Sequence, residues 1–116
     1  MENKSETWQD RFALTTCAAA EIDQAIPPNA SGVAVIYSES PAGETVFLVL
    51  ESRTSALRNQ CARRLQTAKF PAGVALKISF RTEVLATNEA EVMHEVCRQQ
   101  VILAGELRRE LRPAMR

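Results

Sequence analysis

Two apolar runs separated by a turn decide the fold: Val33-Ala34-Val35-Ile36-Tyr37 and Thr45-Val46-Phe47-Leu48-Val49-Leu50. Both runs are rich in β-branched and aromatic residues, which favour a pleated and buried strand. The stretch Ser40-Pro41-Ala42-Gly43-Glu44 between them has the composition of a turn. The two runs therefore predict an antiparallel β-hairpin whose first strand is buried on both faces.

Helical spacing marks the segment before the hairpin. Within residues 6–26, apolar side chains recur at steps of three, four and seven, which is typical of a helix with one buried stripe. The stripe consists of Trp8, Phe12, Ala19, Ile22 and Ile26. The pair Pro27-Pro28 ends the pattern, because a residue before proline is driven out of the helical region. We therefore expect an N-terminal helix over this segment.

A helix and a strand are predicted after the hairpin. Thr54 or Ser55 is placed to cap a helix that ends near Ala68. Its inner stripe consists of Leu57, Cys61, Leu65 and Ala68. From Val74 to Leu85, apolar and polar residues alternate, which predicts a half-exposed strand with Lys77, Ser79 and Arg81 on its polar face.

A last helix completes the predicted order. Asn88, followed three positions later by Glu91, has the spacing of a capping box, and Pro113 ends the helical pattern. The predicted fold class is α/β (α+β), with a small, mainly antiparallel sheet in the order α-β-β-α-β-α. We expect a single domain over residues 1–116, with a helical extension over 1–26 and a core over 27–111.

Length and composition narrow the function classes. The chain has 116 residues, of which 46% are hydrophobic, enough for one ordinary core and too few for a multidomain enzyme. No apolar run approaches the ~20 residues of a membrane span, and residues 1–6 lack the basic and apolar parts of a signal peptide. The three cysteines form no Cys-x-x-Cys pair. These features favour a cytoplasmic protein with no membrane partner.

Charge is distributed unevenly along a chain whose net charge is zero. Residues 1–51 hold eight acids against two basic residues, whereas residues 52–82 hold seven basic residues and no acid. A basic face of this kind attracts phosphate or an acidic partner. The side chains expected to face solvent on it are Arg53, Arg63, Lys69, Lys77 and Arg81. The alternative is a solvated surface whose charge is offset by the acidic first third.

Other patterns for catalysis or metal binding are weak. His94 and Cys97 are spaced i, i+3, which allows two side chains to share a metal, but the sequence holds no second ligand pair. We therefore expect no metal site, with His94 in a structural or surface role and Cys97 in the core. The Gly-x-Ser-x-Gly nucleophile elbow and the glycine-rich phosphate loops are absent from the sequence.

The segments around the two strands carry a family resemblance. They read Ile26-Pro27-Pro28-Asn29-Ala30-Ser31-Gly32-Val33, then Phe47-Leu48-Val49-Leu50-Glu51-Ser52-Arg53 and Leu57-Arg58. This pattern resembles the GIY-YIG nuclease family over about residues 26–104, in the family's β-β-α-β-α order. The resemblance implies a GIY-YIG-like core with an added N-terminal helix. It also implies a catalytic arginine at Arg58 and a metal-binding glutamate at Glu95, with Glu91 as the alternative.

The chain departs from the family pattern at the two tyrosine positions of the motifs. Ala34 stands at the position of the first motif's tyrosine, and Leu48 at that of the second. Alanine and leucine have no proton to give up and cannot activate water as a phenol does. Tyr37 lies an odd number of positions after Ala34 and so falls on the opposite face of the strand. The resemblance therefore implies a domain that keeps the fold, with Arg58 and Glu95 as vestiges of lost cleavage chemistry.

These points predict a non-catalytic GIY-YIG-like domain that uses a basic helix and strand face to contact DNA or RNA through phosphates, or an acidic protein. One alternative is a small α/β interaction or dimerisation module of the roadblock or profilin-like kind, with no nucleic-acid role. A second alternative is a residual nuclease, which is the one case that would need Mg²⁺. In the other cases we expect no cofactor.

Overall fold

The chain forms an α+β fold around a four-stranded antiparallel sheet. The structure, a computed structural model, describes residues 7–52, 56–83 and 90–115. The strands lie in the order β1-β4-β2-β3. The elements are α1 (Trp8–Arg11), β1 (Thr15–Ala18), a 3₁₀ helix (Ala19–Glu21), α2 (Ile22–Ala25), β2 (Ser31–Ser40), β3 (Gly43–Ser52), α3 (Leu57–Thr67), β4 (Leu76–Glu83) and α4 (Ala90–Leu111).

The predicted hairpin is confirmed, and its strands are longer than the apolar runs. β2 pairs antiparallel with β3, with Val35 opposite Val49, and β4 lies along the other edge of β2. The five residues from Val33 to Tyr37 are all at most 1% exposed, as expected for a strand covered on both faces. β2 is therefore the strand around which both layers of the fold are packed.

A bulge in β3 places two adjacent side chains in the same core. Ile36 lies opposite Leu48 and Tyr37 opposite Val46, so that Phe47 has no partner in the pairing. A bulge of this kind adds one residue to a strand and re-aims its side chains. Phe47 and Leu48 consequently both pack on the side of the sheet that α3 covers.

Each face of the sheet has its own hydrophobic core, because alternate residues of a strand point to opposite sides. The α3-side core lies under α2 and α3 and consists of Ile22, Ile26, Ala34, Ile36, Phe47, Leu48, Leu50, Leu57, Cys61, Ile78 and Phe80. The α4-side core consists of Val33, Val35, Tyr37, Val49, Ala104 and Leu107. Ala34 and Tyr37 thus lie on opposite faces, as the sequence predicts.

The prediction of one helix over residues 6–26 is wrong. α1 ends at Arg11, and Ala13 adopts a left-handed backbone with a φ of 56°. Thr15–Ala18 then form β1, which pairs with Lys77–Phe80 of β4. The two threonines favour a strand, and the edge of β4 supplies backbone partners that a local pattern does not reveal.

The apolar stripe assigned to that helix serves both faces of the sheet. Trp8 and Phe12 pack against the α4-side core, whereas Ile22 and Ile26 belong to the α3-side core. The apolar residues of two short helical segments therefore follow the spacing of one long helix, although β1 separates the two segments.

The polar face predicted for β4 is only partly solvated. Lys77 and Arg81 do reach the surface, but Ser79 between them is fully buried. Ser79 Oγ lies 2.8 Å from Thr16 Oγ1 and donates to Tyr37 Oη at 3.3 Å. A buried hydroxyl requires such partners, and the neighbouring strands provide them.

The predicted helix caps at Thr54 or Ser55 and at Asn88 lie outside the described residues. α3 follows Ala56, which adopts a left-handed backbone with a φ of 68°. The first amide of the helix, Leu57 N, donates to the carbonyl of Ala30 at 3.1 Å. The start of α3 is therefore bound to the segment that leads into β2.

The last described residues cross the outer edge of β3. After α4, Arg112 takes a left-handed φ of 49°. Ala114 N then donates to Val46 O at 3.1 Å, and Met115 N donates to Phe47 O at 2.7 Å. Met115 packs against the α3-side core, although α4 lies on the other face. We call residues 112–115 the C-terminal strap.

Candidate functional site

Arg58, the residue expected in a catalytic role, binds backbone carbonyls. Its Nε donates to Ile26 O and its Nη2 to Asp23 O, both at 2.7 Å. These carbonyls lie at the C-terminal end of α2, where the last carbonyls of a helix lack partners within the helix. The guanidinium therefore fastens α2 to α3.

Gly32 and Ser52, which carry the motif resemblance, contact each other. Gly32 N donates to Ser52 Oγ at 2.9 Å, and Ser52 is fully buried. A Cβ on Gly32 would lie 2.0 Å from Arg81 O and 2.9 Å from Thr82 Cα, both of them backbone atoms of β4. The close approach of two strands thus accounts for the glycine, and a buried hydrogen bond accounts for the serine.

The predicted catalytic residues do not come together. Glu95 lies on α4, where its carboxylate accepts from Gln99 Nε2 at 2.8 Å and from Arg98 Nη2 at 3.1 Å. The hydrogen bonds from Gln99 and then Arg98 lower the pKa of Glu95. Glu91, the alternative, is exposed in the first turn of the same helix. Arg58 lies on the α3 side, so the sheet separates it from both glutamates.

The basic residues expected on one face are also divided by the sheet. Arg63 is exposed on α3, and Lys69 is exposed just after it. Lys77 and Arg81 lie opposite Tyr37 and Val33 in the β4–β2 pairing, which places them on the α4 side. The expectation of one continuous patch is wrong, because α3 packs on β2 and β3 from the opposite face. Arg53 lies outside the described residues.

Lys77 is in addition engaged by an acid. Its Nζ lies 2.7 Å from Glu39 Oε1, and both side chains are about half exposed. The hydrogen bond and the charge of Glu39 raise the pKa of Lys77. This lysine therefore presents less free charge than its place in the basic block implies.

The outer side of α3 forms a shallow pocket of about 380 Å³, lined by Leu50, Ala56, Asn59, Gln60, Arg63 and Arg64. We call Asn59, Gln60, Arg63 and Arg64 the α3 donor surface. They stand at i, i+1, i+4 and i+5, so one side of the helix presents two amides and two guanidiniums. None of the described lining residues is acidic.

Two features of the surroundings preserve this positive surface. α3 contains no Asp or Glu over its 11 residues. Glu51, which follows Leu50 in β3, turns to the other side of the sheet and accepts from Arg108 Nη1 at 3.2 Å. Sequence reasoning identified Arg63 and missed Asn59, Gln60 and Arg64. Their i, i+4 spacing was the signal that could have found them.

The described residues contain neither a cluster of metal ligands nor a membrane-spanning helix. Across residues 7–52, 56–83 and 90–115, no three His, Cys, Asp or Glu side chains gather in a group able to hold a metal ion. Within those ranges, no helix combines the length and the apolarity that crossing a bilayer requires.

Comparisons of the chain with protein-family models, with curated proteins and with solved structures found no match. The likeness to GIY-YIG nucleases therefore remains a hypothesis that rests on the sequence motifs.

Proposed function

We propose that this chain is a non-catalytic binding module that holds nucleic acid by its phosphates through the α3 donor surface. One observation carries the proposal: the exposed guanidinium of Arg63 and the amides of Asn59 and Gln60 line a concave surface whose described lining includes no carboxylate. Arginine binds phosphate oxygens with two parallel hydrogen bonds, and amide N–H groups add further donors.

In the proposed contact, the protein recognises the phosphate charge and not the identity of the bases. Phe70, the aromatic residue that follows α3, packs edge-on against Phe47 with ring centroids 5.5 Å apart. A ring used in this way is not free to stack on a base, and stacking is the usual means of holding single strands. We therefore expect affinity on the order of 10⁻⁴–10⁻⁶ M at physiological salt, with little sequence preference.

The absence of catalysis is supported by what stands at the family's reactive positions. Ala34 and Leu48 are buried in the α3-side core, and Arg58 is held by two carbonyls. A degenerate GIY-YIG-like core of this kind would retain a binding surface without a phenol or a metal ligand beside the arginine. Three free cysteines are compatible with the cytoplasmic location that belongs to the same proposal.

The test is fluorescence anisotropy with a labelled DNA duplex and a labelled RNA strand, titrated at roughly 50 and roughly 200 mM salt. We expect binding that weakens steeply with salt, because each phosphate contact releases counterions. Arg63→Glu should weaken it and lower the salt slope by about one. Arg109→Glu is the matched control, since Arg109 is exposed on α4, on the other face.

Three outcomes would contradict the proposal. No binding to DNA or RNA at low salt would favour a protein-interaction module of the roadblock or profilin-like kind. Equal losses in Arg63→Glu and Arg109→Glu would show that general charge, and not α3, controls the affinity. Stronger binding to polyglutamate than to DNA or RNA would replace nucleic acid by an acidic protein as the partner.

A further inference from the structure

A second concave site lies on the opposite face of the sheet, at the end where β1 does not cover β4. It is a cleft of about 530 Å³, within the range typical of small-ligand sites. One wall is α4, and the other is formed by α1 and the end of β4, with Gly32 and Val33 between them. We call it the α4 cleft.

The walls of the α4 cleft carry charges that the protein does not use. Arg81 and Glu83 stand on the β4 wall, and Glu106 stands on the α4 wall. All three are exposed, and none has an ion pair among residues 7–52, 56–83 and 90–115. The cleft therefore offers a free cation beside a free anion on the β4 wall and a second free anion on the α4 wall.

Apolar side chains line the same cleft. Phe12, which follows α1, and Leu103 of α4 both line the cleft and are half-buried against the α4-side core. A ligand with an apolar side chain could pack against these two residues in the cleft, and burying apolar surface stabilises by about 25 cal/mol per Å².

Gln100 adds a polar group within the same wall. It is 5% exposed, and its Nε2 donates to the buried Ser31 Oγ at 2.8 Å. Its Oε1 is buried without a hydrogen-bond partner in the part of the chain that the structure describes. An unpaired buried carbonyl costs about 1–3 kcal/mol. Because Gln100 lines the cleft, a rotation of its side chain that brings Oε1 to the N–H group of a ligand would remove a cost that the free protein bears.

We infer that the α4 cleft binds a short zwitterionic peptide with an apolar side chain. Its carboxylate pairs with Arg81, its amino group pairs with Glu106, and its side chain covers Phe12 and Leu103. A peptide N–H group donates to Gln100 Oε1. A peptide fits better than a free amino acid because the charges stand on opposite walls, and each extended residue adds about 3.3–3.6 Å of reach.

The experiment is a ¹H–¹⁵N NMR titration of the full chain with the tripeptide Ala-Leu-Ala. We expect saturable shifts at the amides of Gly32, Val33 and Gln100. Amidation of the peptide's carboxylate, and Arg81→Gln in the protein, should each weaken binding by about tenfold or more. The two changes together should cost little more than either alone, because both remove the same ion pair.

Further arms separate the cleft from general charge effects. Acetylation of the peptide's amino group and Glu106→Gln in the protein should each weaken binding, and the two together should cost little more than either alone. Free leucine should bind more weakly than the tripeptide. Lys77→Gln neutralises a charge on the same strand outside the cleft and should leave the affinity unchanged. The well-dispersed spectrum of each variant reports that it is folded.

The inference is overturned if no shift saturates, or if blocked and free peptides bind equally well. It is also overturned if Arg81→Gln and Lys77→Gln weaken binding to the same degree. Because the α3 donor surface lies on the other face, none of these results bears on nucleic-acid binding.

Discussion

Replacing Gly32 by alanine should destabilise the protein strongly, although the change adds only one methyl group. The new Cβ would lie 2.0 Å from Arg81 O, and an ordinary contact begins at 3.4 Å. The next two atoms, Thr82 Cα at 2.9 Å and Arg81 C at 3.0 Å, also belong to the backbone. No side chain can therefore rotate to make room. β2 and β4, the two inner strands of the sheet, must therefore move apart where β2 begins.

The size of the effect follows from two costs. Forcing an extra methyl group into a packed interior costs about 1–3 kcal/mol. Movement of Gly32 also endangers the buried hydrogen bond from its amide to Ser52 Oγ, and a buried polar group left unpaired costs about 1–3 kcal/mol. Together we expect a loss of about 2–6 kcal/mol, a large part of the ~5–15 kcal/mol that stabilises a domain.

Urea unfolding measures this loss, followed by far-UV circular dichroism and by the fluorescence of Trp8, the single tryptophan of the chain. Gly105→Ala is the control, because a Cβ there meets no atom within 4 Å. This glycine lies inside α4, so alanine should stabilise the protein by about 0.5–1 kcal/mol. Unchanged stability in Gly32→Ala, beside a stabilised Gly105→Ala, would refute the steric account of Gly32.

Three further predictions concern Arg58, the cleavage chemistry and Cys61. Arg58→Ala leaves the carbonyls of Asp23 and Ile26 without their donor and should cost about 1.5–3 kcal/mol in thermal or urea unfolding; a cost below about 0.5 kcal/mol would contradict this role. The wild-type protein should not cut plasmid or branched DNA with Mg²⁺ or Mn²⁺, and metal-dependent cleavage that Arg58→Ala abolishes would prove this wrong. Burial, and then the neighbouring Cys17, raise the pKa of the Cys61 thiol from 9.0 to about 12. The unfolded chain therefore loses this proton first, so the free energy of unfolding should fall as the pH rises from about 9 towards 12 and should not depend on this thiol below about pH 8. Cys61→Ala should flatten that slope in urea unfolding at several pH values, and an equally steep slope in the variant would count against the assignment.

The parts of the fold that the sequence predicts are those determined by strong local patterns. The β2–β3 hairpin, α3, β4 and α4 all contain an apolar run or a regular stripe, and each appears close to its expected place. β1 could not be predicted in this way, because its four residues form a strand only through pairing with β4, more than fifty positions later. The bulge at Phe47 likewise depends on packing between layers.

The site was less predictable than the fold, for a physical reason. A sequence does not state on which face of a sheet each helix lies, and this choice separates Arg58 from Glu95 and Arg63 from Lys77. The partners of Arg58 are backbone carbonyls, which every residue has, so the identity of the residues does not indicate them. Spacing did predict that Tyr37 and Ala34 face opposite sides, because alternation within one strand is a local property.

The C-terminal strap has a consequence for how the chain is made. During synthesis the β2–β3 hairpin can form early, because its partners are adjacent in the chain, whereas β1 must wait for β4 and the α3-side core must wait for Met115. Until the strap reaches Val46 and Phe47, the outer edge of β3 is an unpaired template for another chain. We therefore expect the nascent hairpin on the ribosome to be prone to pairing with another chain at Val46 and Phe47, and a holding chaperone that covers β3 would protect it there.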